Sequence, residues 1–177
     1  MTRYHPLLVA LHWLIALMIV MALIFGGAFL AEMPNDDPAK IDGLRAHMSL
    51  GMAVLVLMLI RLATRLFTAK PPPAGTGNAL LDKAGAATHW LFYILVIAMA
   101  GSGLATARMA GLPDIVFGGS GAPLPEDFGI YPPRIAHGIL ATLIGLLLLL
   151  HVAAALYHQF LRKDGLFRRM WFGDRQA

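Results

Sequence analysis

Residues Arg134 to Leu161 read RIAHGILATLIGLLLLLHVAAALYHQFL. So long an apolar run predicts a membrane-crossing helix. His137 and His151 stand fourteen residues apart within it, which is about 21 Å at a rise of 1.5 Å per residue. At about 3.6 residues per turn, both side chains leave the helix on nearly the same face, beside Gly138, Ala141, Ile144 and Leu148. One buried histidine is as readily a hydrogen-bonded packing residue as a ligand. Two on one face, at two depths, read as half of a scaffold that holds two groups between helices.

Composition puts the whole chain in a membrane. Apolar residues make up 58% of the 177 and charged residues 14%, and the mean hydropathy is +0.69, outside the range of soluble domains. At about 20 apolar residues per span, four helices with their connections use the length, giving a single membrane domain over residues 1–177. There is no cysteine, which excludes c-type haem attachment, thiolate-held iron–sulfur clusters and disulfides. Any redox group must be held by His or Met, and the ten methionines suit adaptable packing better than ligation. The net charge of +4 sits beside apolar runs, so it reports membrane topology and not nucleic-acid binding.

The spans are predicted at about 7–30, 47–67, 84–107 and 134–161, an all-α transmembrane four-helix bundle. The first run is longer than a signal peptide's apolar core and carries His12, so it reads as a retained helix. The stretch from Lys70 through Pro71, Pro72, Pro73 and Ala74 to Gly75 reads as a stiff turn. Residues from Arg108 to Pro133 form the longest connection, with a short interfacial piece near Ile115 to Phe117. Arg61 and Arg65 follow the last continuously apolar residue, Ile60, and are expected to snorkel to the surface. Arg3, Arg61, Arg65, Lys70, Lys83, Arg162, Lys163, Arg168, Arg169 and Arg175 fall on one side and only Lys40, Arg45, Arg108 and Arg134 on the other. The positive-inside rule then puts both termini in the cytoplasm.

With that topology His47 and His137 both lie near the outer ends of their helices, and His12 and His151 form a looser match toward the inner ends. A b-type haem takes one imidazole on each side of its ring plane, so ligands at equal depth on facing helices suit it. Depth alone leaves His89 and His158 as rivals for the inner site. Gly51, one turn beyond His47, and Gly145, between the two histidines of the last helix, leave room for a porphyrin, although glycine equally serves helix packing. Arg45 and Arg134 flank the outer pair and are placed to neutralise haem propionates; both also suit interfacial anchoring.

The chain resembles the bacterial cytochrome b561 family. The resemblance rests on His12-Trp13, on His47 with its apolar run to Arg61-Leu62 and Arg65, and on the sequence from His89 and Trp90 to Tyr93. It rests most on His137 and on His151 continuing through Tyr157-His158 to Arg162-Lys163-Asp164-Gly165. It covers nearly the whole chain and implies two b-type haems, with iron held by His12 and His151 at the inner site and by His47 and His137 at the outer. His89 and His158 then lie near the inner haem without binding iron. Sidedness groups them with Trp13 and Arg65 as inner-haem surroundings or a quinone site.

The function expected from the resemblance is that of a multi-pass oxidoreductase of the bacterial inner membrane, in contact with lipid, that oxidises superoxide outside and reduces ubiquinone. The alternative is a cytochrome b electron-transport subunit of a hydrogenase- or dehydrogenase-type complex, which takes electrons from a redox partner protein and passes them to quinone. A colourless transporter with histidines as a proton path shares the same fold, so fold alone does not choose the activity.

Overall fold

A computed structural model describes residues 3–72 and 77–173. The four long helices are α1 (Pro6–Ile24), α2 (Ala39–Phe67), α3 (Ala79–Met109) and α4 (Pro132–Leu156). Wide π-type turns extend α1 over Phe25–Leu30 and α4 over Tyr157–Arg162. All four are long and apolar enough to cross a membrane. Among the described residues there is no strand. Residues Pro73, Ala74 and Gly75 of the expected turn, and Arg175 of the basic end, lie outside the described residues.

Side-chain acceptors satisfy free amides at the starts of three of the helices. The His5 Nδ1 accepts the Leu7 amide at 3.3 Å, and Asn78 Oδ1 accepts the amides of Leu80 and Leu81 at 2.9 and 3.4 Å. Proline opens α1 and α4, where its missing N–H costs nothing. The second helix begins at Ala39, eight residues before the expected start. The Asp37 carboxylate accepts the Ala39 amide at 2.9 Å, so the charges at Lys40, Asp42 and Arg45 sit on a helical turn that projects past the apolar run. His47 is therefore about 12 Å inside α2 and not at its edge. The third helix likewise starts earlier, at Ala79, because Asn78 caps it. The long connection carries the short turn expected near Ile115, over Pro113–Phe117, and a second at Phe128–Ile130.

Adjacent helices pack in chain order, α1 on α2, α2 on α3 and α3 on α4, and backbone contact between α1 and α4 is sparse. The core drawn from all four is small: Leu11, Ile15, Val54, Met58, Tyr93, Val96 and Ile144. Leu17, Ile94 and Ile139 face outward and are exposed, as lipid-facing residues are. A second cluster, Ala107, Ala110, Leu112, Val116 and Leu124, seats the long connection on α2 through Ile41, Leu44 and Met48. The Tyr4 amide donates to the Arg169 carbonyl at 3.1 Å, so both chain ends meet at one end of the bundle.

Candidate haem sites

The imidazoles of His47 on α2 and His137 on α4 face each other with ring centroids 6.1 Å apart. A metal between two imidazoles, with bonds of about 2 Å on each side, separates ring centroids by roughly 6 Å. Two glycines clear the space behind these rings. A Cβ on Gly26 would stand 2.7 Å from His47 Cε1, and one on Gly103 would stand 3.1 Å from His137 Cε1. Gly26 lies in the wide turn that ends α1, a feature that recurs at functional sites. The His137 Nδ1 is 3.1 Å from the Met99 carbonyl and 3.0 Å from Ser102 Oγ. A carbonyl only accepts, so the proton is on Nδ1 and the Nε2 lone pair is free to bind metal. The buried His47 Nδ1 has no partner among the described residues. This donor set and its cleared flanks fit a b-type haem.

At the other end of the bundle, His151 of α4 has two imidazole neighbours. His12 on α1 is at 6.2 Å and His89 on α3 at 6.0 Å between centroids, with the Phe92 ring at 5.5 Å. His12 meets His151 across the seam where α1 and α4 make little backbone contact. Further along that seam a groove of about 350 Å³ opens, lined by Val20, Leu23, Ile24, Thr142, Gly145 and Leu148 among others.

Gly51 and Gly145 both have open space where a Cβ would be. Arg134 lies close enough to His47 and His137 for its charge to act on both. Arg45 is held aside: it donates to the Val116 carbonyl at 3.0 and 2.8 Å and pairs with Asp42 at 2.5 Å. Trp13 lies under the C-terminal segment, its Nε1 donating to the Met170 carbonyl at 2.8 Å and its ring against Phe167 and Trp171. His158 pairs with Asp164 at 2.5 Å. Arg65 stacks on Trp90 at 5.6 Å.

Arg61 does not snorkel. It turns inward and donates to the hydroxyl of Tyr93, a core residue only 3% exposed. The phenol gives the guanidinium a polar partner inside the bundle, which a lipid-facing rotamer lacks. Sequence reasoning missed this pair and also missed Gly26, Gly103, Ser102 and Met99. The depth rule used for the histidines had the needed signal, since Gly26 and Gly103 lie at the same end of the bundle as His47 and His137.

The chain matches the family model described as prokaryotic cytochrome b561 over residues 3–173. It is similar to cytochrome b562 of Cereibacter sphaeroides, with 33% identity over 171 residues and 94% of each chain covered. It is also similar to the probable superoxide oxidase CybB of Yersinia pestis, with 27% identity over 177 residues and 95% of each chain covered. Against cytochrome b561 homolog 2 of Escherichia coli the identity is 28% over 171 residues, covering 95% of this chain and 90% of that one. With four membrane-spanning helices and a match along almost its whole length, the chain belongs to the prokaryotic cytochrome b561 family of bacterial membrane electron-transfer proteins, which bind b-type haem.

Proposed function

We propose that this chain is a superoxide:ubiquinone oxidoreductase of the inner membrane, with both termini cytoplasmic. The observation that carries this reading is the placement of two histidine clusters at the two ends of one bundle, each with ring centroids about 6 Å apart. In this reading His47 and His137 hold an outer b-type haem and His12 and His151 an inner one. Bound there, the haems supply one-electron relay between the two membrane faces. Two superoxide anions give up one electron each and leave as dioxygen, and one ubiquinone takes both electrons with two protons to become ubiquinol.

The remaining residues do what a small anion outside and a quinone inside require. Arg134 presents its charge at the outer pair, next to Lys40, and draws an anion toward it. Arg45, already paired with Asp42, contributes less. At the inner end Arg65, His89 and His158 line the approach to the inner haem and offer hydrogen bonds to a quinone ring, while Trp13, its N–H already given to Met170, supplies a ring face. His89 is as close to His151 as His12 is; the family resemblance favours His12 as the ligand. The likeness to a probable superoxide oxidase supports the choice of donor.

A second reading, an electron-transfer subunit that delivers electrons from a partner protein to quinone, uses the same two histidine clusters and needs no small-molecule donor. The purified chain separates the two. Visible spectra are followed while superoxide is generated, with and without ubiquinone. Reduction of the b bands, then reoxidation on adding quinone, is expected. Bands that stay oxidised under superoxide but respond to dithionite would sink the oxidase reading and leave the subunit reading.

A further inference from the structure

Arg61 and Arg65 stand one turn apart on α2, so both leave it on the same side. Like charges at this spacing repel, yet both are drawn in toward the inner histidines and not splayed into solvent. The Arg61 guanidinium donates to the Tyr93 hydroxyl and lies 5.3 Å from the centre of its ring. Its charge reaches His12, His89 and His151. Arg65 rests on the Trp90 ring at 5.6 Å, with a buried Nε that has no partner. Among the described residues neither arginine meets a carboxylate.

Two cations held in a low-dielectric interior without an anion are unfavourable unless a ligand supplies the charge. The planar fork of arginine matches a carboxylate with two parallel hydrogen bonds. Resting on the two-haem reading, we infer that Arg61 and Arg65, braced by Tyr93 and Trp90, are the seats of the two propionates of the inner haem and keep that haem easier to reduce than it would otherwise be. Because Arg61 uses an N–H to reach the phenol oxygen, the Tyr93 O–H is left to donate to the same carboxylate. A cation beside a haem favours the ferrous form, which carries one positive charge less than the ferric form. The arginines therefore bias electrons toward the inner end of the bundle.

The test is a redox titration of the purified cytochrome together with its haem content. His12→Ala first identifies which midpoint belongs to the inner haem. Arg61→Gln is expected to shift that midpoint downward by a tenfold change in its reduction equilibrium, about 59 mV for one electron, with the outer midpoint unmoved. Arg65→Gln shifts it in the same direction, and Arg61→Lys recovers most of the loss. An inner midpoint that moves in neither glutamine variant, or an outer one that moves instead, overturns the inference. If Arg61→Gln loses the inner haem, its return in Arg61→Lys supports the inference and its loss there too, with Arg65→Gln unshifted, overturns it. A lipid phosphate is the other anion of this chemistry. Stripping phospholipid by detergent exchange would then raise the wild-type inner midpoint and overturn the inference, whereas no change supports propionates. A wild-type chain with only one haem fails at the two-haem reading itself.

Discussion

At Gly26 a Cβ would have 2.7 Å to the nearest carbon of His47, well inside ordinary contact distance. Gly26→Ala must push the imidazole or part α1 from α2, at a cost of about 1–3 kcal/mol. The expected result is loss of the outer haem with the inner one kept, measured as haem per chain by pyridine haemochrome. Gly51→Ala is the complement. Nothing beyond its own helix lies within 4 Å of that Cβ among the described residues, so the fold should be kept or slightly stabilised, and an altered outer-haem band would report the porphyrin itself. His12→Ala should remove the inner haem and His89→Ala should keep it, and the reverse outcome would reassign the ligand. These residues divide by how readable they were. The histidines stood out because a polar group in a long apolar run needs a reason. Gly26 and Gly103 did not, because a glycine's role is set by what passes it on the neighbouring helix.

Among the elements, the segment after α4 is irregular and is tied to the start of the chain. It turns at Lys163, a non-glycine residue at φ 53°, and at Gly165 at φ 72°. Its short turn Leu166–Met170 then lies against α1, where Arg3 donates to the Phe172 carbonyl at 2.6 Å and Trp13 to Met170. Lys163→Gly removes the left-handed strain and should stabilise the chain by about 1 kcal/mol, raising the melting midpoint by roughly 2–4 °C. Burial pushes the Asp164 carboxyl up, but the hydrogen bonds from His158 and the Leu166 amide, with the charges of His158 and Arg162, outweigh it and hold the group below its ordinary 3.8. A carboxylate lowered in the folded state stabilises fully above 3.8 and loses that contribution as pH falls through its folded value. Acid should therefore release this segment, seen as a step in Trp13 and Trp171 emission that Asp164→Asn abolishes. None of this docking is written in hydropathy: Arg168 and Arg169 read as ordinary topology markers, and the contacts that hold the segment are mostly to backbone carbonyls. The start of α2 was hidden for a related reason. Its first turn is charged because it rises out of the hydrocarbon, while hydropathy reports the membrane and not the helix.

For the whole molecule, four spans and their order were legible because each needs an apolar run and little else. The inward turn of Arg61 was not, since its direction depends on Tyr93 being opposite on α3. Arg134→Gln should slow superoxide-driven haem reduction and flatten its dependence on salt, with Arg45→Gln having the smaller effect, because Arg45 is already engaged by Asp42 and Val116. Stopped-flow rates across ionic strength check it, and equal effects of the two would remove the distinction. The meeting of residues 3 and 4 with 169 to 172 also has a consequence for biosynthesis. The His47–His137 pair is complete once His137 has left the ribosome, while Trp13 on the first helix waits for the last turn to be made before its ring is covered. This end of the bundle therefore closes only after residues 169 to 172 have been made.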